Sequence, residues 1–394
     1  MSAGIQAQTE PHPAAPPETA AVDIVAVDTS KLREEFIRVP WSLYGNDPSW
    51  VPPLLANERD RLGHVEQLEF HGMRRRFWLA RMEGRAVGRI SAQIRPQTGP
   101  DATGHFGWIE AIDSHAVFAA LFAAAETWLA EQGAVRSMGP FNSSINEECG
   151  VLVDGFDTPP MIMMPHSPPY YGPRIEQLGY RKEMDLLAFK IDVEKPLPAR
   201  LEKLKSWVTA DPAVRLRMPD YRRFEDEIRT VLDLFNDAWS GNWGFEPFSE
   251  SEIGDLARSL KPLLPPQAVC IAEHEGRPVA FALGLPNLNE MARDLNGRLL
   301  PFGWAKLLFR IKTGRFTSGR LALMGVRKEF QSTPMGAALA ISVIERLRGA
   351  CLEHGVYNVE LSWVLETNRR VRSIIEAFGA DAYKKYRLYS HQIA

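Results

Sequence analysis

The stretch Leu321-Ala-Leu-Met-Gly-Val-Arg-Lys-Glu-Phe-Gln-Ser-Thr-Pro-Met-Gly-Ala-Ala-Leu-Ala-Ile-Ser-Val-Ile-Glu-Arg-Leu347 places an apolar run, a polar turn and a helical pattern in direct succession. Leu321–Val326 is long enough for a buried strand, and Gln331–Gly336 predicts a tight turn. From Met335 onward, apolar residues recur at helical spacing. Because a helix start exposes unpaired N–H groups and the positive end of its macrodipole, the turn predicts a phosphate site.

This pattern resembles the acyl-CoA-binding motif of the GNAT acyltransferases, a strand followed by Gln/Arg-x-x-Gly-x-Gly/Ala and a helix. Gln331, Pro334 and Gly336 take the three marked positions, and Pro334 departs from the family because it has no N–H to donate. An ordinary strand-loop-helix connection is the alternative. The resemblance implies acyl-CoA as co-substrate, no metal, and a cofactor site formed by Met324, Gly325, Val326, Gln331, Ser332, Thr333, Met335, Gly336, Ala337 and Asn368.

Composition bounds the class of protein. The chain has 394 residues, of which 45% are hydrophobic and 24% charged, which is typical of a globular protein of about two domains. A net charge of −3 gives no basic field for a nucleic-acid partner. Three cysteines without paired spacing suit a reducing compartment. Since neither a signal peptide nor a transmembrane stretch is visible, we predict a cytoplasmic protein.

Internal similarity indicates a duplication. The hairpin pattern of Phe77–Ile94, with its turn at Glu83-Gly84, recurs at Val269–Pro286 with Glu275-Gly276. Later echoes follow in the same order, and alternating helices and strands predict an α/β fold with a mixed sheet. The resemblance to GNAT proteins covers nearly everything after residue 30. It implies two GNAT-like mixed-sheet domains in tandem, of which the C-terminal one carries the acyl-CoA loop.

The predicted division is a disordered tail (1–22), an N-terminal GNAT-like domain (23–195) and a C-terminal GNAT domain (196–394). The first half has no glycine at its corresponding helix entrance, so its cofactor loop is degenerate. Pro196–Asp211 is predicted to be a charged joint between the halves.

The segment Met138–Tyr180 is dense in Gly, Pro, Asn and aromatic residues, which predicts long functional loops. His166 can serve as a base near neutral pH, and Glu147 or Glu148 can hold an ammonium group. Bracing of a loop by Pro-flanked His and Tyr is the alternative. Met161–Met164 suits either the core or an acyl pocket. The substrate-binding candidates of this half are Asn142, Glu148, Tyr170 and Tyr171.

In the second half, the aromatic residues Trp239, Trp243 and Phe245 follow the first helix, where the GNAT resemblance implies the border of the acceptor site. Capping of the core is the alternative. Residues 298–315 interleave apolar and basic side chains, which predicts membrane-surface contact or an entrance for lipid chains. A helix packed on the body with snorkelling cations is the alternative, and Pro301 and Gly303 argue against one long amphipathic helix.

The GNAT resemblance also implies that the strand Val356–Leu365 parts from the Leu321 strand, with the acyl thioester in the gap. Glu366, Glu360 and His166 are then the candidate bases. The position of the family's general-acid tyrosine is Ile375 here. Tyr386 or Tyr389 on the final strand are the alternative acids, as is departure of the thiolate unprotonated.

The overall layout resembles the GNAT-type bacterial ceramide synthases. This resemblance implies transfer of a long-chain acyl group from acyl-CoA to a sphingoid base, in lipid metabolism. Together with residues 298–315, it predicts a cytoplasmic protein that is peripheral on the inner membrane. A second hypothesis is an acetyltransferase for aminoacyl, peptide or antibiotic amines. A third is a non-catalytic binding protein on a decayed scaffold, suggested by Pro334 and Ile375.

Overall fold

A computed structural model describes residues 21–65, 69–70, 72–95, 102–248, 250–261, 263–313 and 316–393. All but the last two residues of the predicted disordered tail therefore lie outside the described residues. The strands are β1 (Asp23–Ala26), β2 (Glu69–Phe70), β3 (Met73–Met82), β4 (Arg85–Ile94), β5 (Thr103–Ala111), β6 (Arg136–Gly139), β7 (Val151–Asp154), β8 (Arg181–Asp192), β9 (Val214–Arg217), β10 (Val269–His274), β11 (Arg277–Pro286), β12 (Ser318–Val326), β13 (Asn358–Leu365) and β14 (Asp381–Gln392). The helices are α1 (Ser30–Tyr44), α2 (Leu55–Leu62), α3 (His115–Glu131), α4 (Tyr171–Gln177), α5 (Ala199–Ala210), α6 (Phe224–Trp239), α7 (Glu250–Leu260), α8 (Asn289–Ala292), α9 (Gly303–Thr313), α10 (Pro334–His354) and α11 (Arg369–Ala377).

The two predicted hairpins are confirmed. Strand β3 pairs antiparallel with β4, and β10 pairs antiparallel with β11. In both turns the Glu and the Gly have positive φ, 50° and 77° at Glu83 and Gly84, and 52° and 78° at Glu275 and Gly276. Two successive residues with positive φ are what a two-residue hairpin turn needs to match the twist of its strands.

The two repeats share one mixed sheet because their last strands are exchanged. The order is β1-β3-β4-β5-β6-β14-β8-β13-β12-β11-β10-β9. Strand β8, which ends the first repeat, pairs with β13, and β14, which ends the chain, pairs with β6. The segment predicted to be a charged joint contains α5, which buries Leu201 and Val208 beside α10. The tandem α/β fold is confirmed, and the domain boundary at 195/196 stays a prediction.

In the second half the sheet is covered on both faces. On one face, Ala282 and Met324 pack with Leu339 of α10. On the other face, Phe281 and Leu323 pack against α6 and α7. This alternation follows from the two-residue period of strands. It gives the sheet one face on the α10 side, where the acyl donor is expected and which is named the donor face, and an opposite face on the α6 side.

Candidate active site

Strands β12 and β13 part in the middle of the sheet. Their parallel pairing ends at Leu321 and Leu361, although β11 still pairs with β12 as far as Val326 and β8 with β13 as far as Leu365. At the same point β12 bulges, so that Ala322 has no partner residue in the register with β11. A gap edged by backbone groups without ladder partners therefore opens here, where a thioester can bond to main chain.

The predicted phosphate loop lies beyond the open end of this gap. Thr333 caps α10 by accepting the Gly336 N–H at 3.0 Å. Within the described part of the chain, the N–H groups of Ser332 and Met335 reach no acceptor. Pro334 is the first helical residue, where an N–H would have no partner within the helix, so its departure from the motif leaves the helix start intact. The exposed loop presents free amides of the kind that hold anions.

Two residues of the motif shape the loop. Gln331 Nε2 donates to the Val326 carbonyl at 2.9 Å and to the Ala238 carbonyl at 2.8 Å, which ties the loop to β12 and α6. A Cβ at Gly336 would lie 2.0 Å from the Phe330 carbonyl oxygen, so glycine is required for this close approach.

An arginine not identified from the sequence adds charge to the loop. Exposed Arg370, in the first turn of α11, donates from Nη1 to Ser332 Oγ at 2.9 Å. The predicted Asn368 caps the same helix by accepting the Val371 N–H at 3.2 Å. A phosphate bound at the loop would thus meet a guanidinium group as well as free amides.

Of the predicted aromatic residues, Trp239 contacts the edge of the gap, and the role of all three in binding the acceptor stays a prediction. Trp239 donates its indole N–H to the Met324 carbonyl at 2.8 Å, and Gly325 lies close against Ala238 and Phe281. Phe245 packs against Phe235 of α6 with tilted rings whose centroids are 5.9 Å apart. Trp243 packs with the apolar residues around Tyr386.

A buried polar cluster lies on the α6 side of the sheet, at the point where β12 and β13 part. The Glu360 side chain is fully buried and accepts hydrogen bonds from Ser362 Oγ and Tyr383 OH. Arg320 lies 3.8 Å from Glu360 and donates from Nε to Ser362 Oγ at 2.9 Å. Because each carboxylate oxygen has a hydrogen-bond donor and Arg320 lies beside Oε1, the buried charge of Glu360 is compensated.

Tyr386 lies beside this cluster with a buried hydroxyl group that has no partner among the described residues. Burial, reinforced by the nearby Glu360 carboxylate, holds the pKa of Tyr386 well above its ordinary value, so the hydroxyl stays protonated. Tyr389, the alternative acid, donates to Glu176 at 3.1 Å. Of these two tyrosines, Tyr386 is therefore the one whose hydroxyl group is not already bonded to another described residue.

The loop that contains Met161–Met164, the methionine-region loop, covers the cluster. Arg320 donates to the Ile162 carbonyl at 3.1 Å, and Lys384 Nζ donates to the Thr158 carbonyl at 2.6 Å. Burial lowers the pKa of Lys384 to about 8. Met164 packs directly among the apolar neighbours of Tyr386. These hydrogen bonds hold the methionine-region loop over the Glu360 cluster.

The other two candidate bases, Glu366 and His166, form hydrogen bonds with residues outside the buried polar cluster. Glu366 accepts from Lys182 Nζ at 2.7 Å and from the Asp185 N–H at 3.1 Å. His166 Nε2 lies 2.6 Å from Asp47 Oδ2. Burial lowers the pKa of His166, and the bond to Asp47 opposes this shift. Of the three candidates, Glu360 stands at the parting of the strands.

The four predicted acceptor contacts of the first half bond to protein groups. Asn142 Nδ2 donates to Glu148 at 3.1 Å, and Glu148 also pairs with Arg61 at 3.3 Å. Tyr170 donates to the Ala111 carbonyl at 2.8 Å. Tyr171 donates to Glu110 at 2.8 Å. A substrate-binding role for any of them stays a prediction. It requires that the residue break its hydrogen bond to the protein and form one with the substrate.

Residues 298–313 form the exposed segment expected from the sequence. Phe302 is 78% exposed and Phe309 67%, and no residue of α9 is buried. Lys306 and Arg310 both pair with Asp294, which neutralises part of the local positive charge. Gly314 and Arg315 lie outside the described residues. No helix in the described ranges has the length and apolarity needed to cross a bilayer.

Comparison with known proteins adds independent information. No family model matches the chain. The chain is 45% identical to Protein YghO of Escherichia coli K12 over 363 residues, 91% of this chain and 92% of that protein. It is 43% identical to the bacterial ceramide synthase of Caulobacter vibrioides over 376 residues, 94% of this chain and 97% of that protein.

Solved structures agree on the fold. A tandem GNAT protein from the clavulanic acid biosynthesis pathway superposes with a TM-score of 0.55 at 13% identity, covering 95% of this chain and 99% of that one. A GCN5-related N-acetyltransferase from Sphaerobacter thermophilus gives 0.51 at 15% identity, covering 94% and 96%. The chain therefore belongs to the same family as the bacterial ceramide synthase of Caulobacter vibrioides, and it is an acyl-CoA-dependent acyltransferase with the tandem GNAT fold.

Proposed function

We propose that the protein transfers a long-chain acyl group from acyl-CoA to the amine of a sphingoid base and so forms a ceramide-type amide. The observation that carries this proposal is the similarity, over almost the whole chain, to a relative named as a bacterial ceramide synthase. The exposed apolar side chains of residues 298–313 also support a substrate that partitions into membranes, because such a surface suits contact with lipid.

In the proposed reaction, the loop at Gln331–Ala337 and Arg370 hold the pyrophosphate of the acyl donor. Backbone N–H groups at the β12 bulge bind the carbonyl oxygen of the thioester as negative charge develops on it. The amine enters from the opposite face, toward Glu360.

Glu360 takes a proton from the ammonium group, and the amine nitrogen attacks the thioester carbon. The C–N bond forms, the C–S bond breaks, and Tyr386 protonates the departing thiolate of CoA. The tyrosinate takes the second proton from the former amine nitrogen, which leaves a neutral amide, and Glu360 releases the first proton to solvent. Holding the two substrates on either side of one gap supplies rate by proximity.

Purified protein incubated with palmitoyl-CoA and sphinganine tests the proposal, with thiol release and mass spectrometry of the lipid extract as readouts. We expect stoichiometric CoA thiol and N-palmitoyl product. Acetyl-CoA with small polar amines is the matched control. Acylation of those amines without acylation of sphinganine would refute the lipid acceptor and favour the second hypothesis.

Membrane contact is tested by co-sedimentation with anionic phospholipid vesicles. We expect the wild-type protein to sediment and the double variant Phe302→Asp/Phe309→Asp to remain in the supernatant. Equal sedimentation of the two proteins would show that neither α9 nor the turn before it forms the membrane contact.

A further inference from the structure

A large apolar cavity lies at the end of the sheet opposite the phosphate loop. Its volume is about 670 Å³, within the ~300–1,000 Å³ range of small-molecule sites. It lies where β11 ends and β12 and β13 begin, beneath the C-terminal half of α10. Its walls are mainly aliphatic and come from both faces of the sheet: Leu264 and Leu285 belong to the cluster around α6 and α7, and Ile344, Leu347 and Leu361 to the clusters around α10.

The cavity adjoins the point where the thioester is expected. Leu321 and Leu361 are the last paired residues before β12 and β13 part, and both line the cavity. Both belong to the apolar clusters that pack against α10, so they face the donor side. Along α10, Ile344 is eight residues after Gly336, or about 12 Å of helix axis. A ligand held at the phosphate loop and running along α10 thus arrives at this cavity.

The polar groups of the lining favour an alkyl ligand. The guanidinium of Arg348 donates to the Val193 carbonyl at 2.6 Å and pairs with Glu345, so it is committed to the protein. Arg320, which also lines the cavity, donates to Ser362 Oγ and to the Ile162 carbonyl, and His354 Nδ1 lies 2.9 Å from the Ala350 carbonyl oxygen. Glu353 lies beside Leu352 and Tyr357, which are exposed and mark the mouth. A polar ligand needs convergent polar partners in its pocket, whereas an alkyl chain gains by burial alone.

We propose that this cavity holds the alkyl chain of the acyl donor, with the carbonyl end at the parting of β12 and β13 and the methyl end toward Leu352 and Tyr357. The inference rests on the proposed function only in that the donor is a long-chain acyl-CoA. It places the donor chain at the end of the sheet where β12 and β13 begin, and not in the methionine-region loop.

Gly284 provides a sharp test because it lines the cavity and has room for a side chain. A Cβ there would lie no closer than 3.6 Å to the Ala268 carbonyl and 3.9 Å to Leu347 Cδ1, which are ordinary contacts. The Cβ of Gly284→Leu therefore fits without displacing backbone, and the remaining side-chain atoms take up space in the cavity. Gly349, on α10 but not among the lining residues, has no atom within 4 Å of an added Cβ, so Gly349→Leu is the matched control.

The experiment is titration calorimetry of the full-length protein with CoA, palmitoyl-CoA and sphinganine below their micellar concentrations. We expect wild-type protein and Gly349→Leu to bind palmitoyl-CoA at least about tenfold more tightly than CoA. We expect Gly284→Leu to lose at least tenfold in affinity for palmitoyl-CoA and to keep its affinity for CoA, which also reports an intact fold. Cys351→Trp, which fills the cavity from α10, is the second variant and has the same expected result.

Two results would overturn the assignment. One is equal binding of palmitoyl-CoA by wild-type protein and both filled variants. The other is loss of sphinganine binding, in place of palmitoyl-CoA binding, in the filled variants, which would give the cavity to the acceptor. Failure of the proposed function looks different, because sphinganine then gives no amide product while the preference for palmitoyl-CoA and its loss on filling the cavity persist.

Discussion

Replacement of Glu360 by Gln removes one charge from a buried ion pair and keeps the volume of the side chain. Arg320 and Glu360 are 4% and 0% exposed, and Nε lies 3.8 Å from Oε1. At that separation, an effective dielectric constant of about 20 gives an attraction of about 4 kcal/mol. Removing one partner leaves an uncompensated buried charge, for which losses of about 3–5 kcal/mol are usual. We therefore expect Glu360→Gln to lower the free energy of unfolding by about 4 kcal/mol.

The matched control is Glu366→Gln, one residue beyond the end of the same strand. Glu366 pairs with Lys182 at 2.7 Å, but the two side chains are 30% and 41% exposed. Solvent-exposed pairs contribute about 0–1 kcal/mol, so this variant should change little. Urea unfolding followed by both tryptophan fluorescence and far-UV circular dichroism measures the difference, provided that the two probes give one midpoint. Equal losses in the two variants would refute the assignment of Glu360 as a compensated buried charge.

Three further predictions concern the loop, the acid and pH. Gly336→Ala brings a methyl group onto the Phe330 carbonyl and should weaken CoA binding at least about tenfold by calorimetry, while Gly349→Ala should not. Tyr386→Phe loses no hydrogen bond, so its unfolding free energy should stay within about 0.5 kcal/mol, whereas turnover should fall on the order of 10²-fold; unchanged turnover would exclude Tyr386 as the acid. Burial raises the pKa of Glu110 to about 7, so the folded state binds the extra proton and stability falls as pH rises from about 4.5 to about 7. Over this window the wild type should lose roughly 3 kcal/mol relative to Glu110→Gln, and parallel stability curves would contradict the shift.

Several features were predictable because they depend on neighbouring residues. The turns at Glu83-Gly84 and Glu275-Gly276 need two positive φ angles, and a glycine next to a turn-forming residue signals them locally. The succession of β12, loop and α10 follows equally from apolar periodicity and a Thr cap.

Other residues of the site were missed although a signal existed. Arg320 lies in an apolar strand, and Glu360 and Ser362 alternate along the next strand. Charges at such positions indicate a buried, paired group, and this would have identified Arg320 as a candidate. Tyr383 and Lys384 gave no local signal, because their roles depend on the loop that covers them.

The sequence by itself determined the local elements, the repetition of one α/β unit and the presence of a helix start suited to phosphate, since each is written in spacing and turn chemistry. Only the tertiary structure decided that the last strands exchange between repeats, that β12 bulges at Ala322, that Glu360 meets Tyr383, and that an apolar cavity lies where β12 and β13 begin. Such pairings join residues far apart in the chain. The physical reason is that a strand's side-chain pattern fits any sheet edge of the right polarity, and the choice among edges is made by packing of the whole sheet.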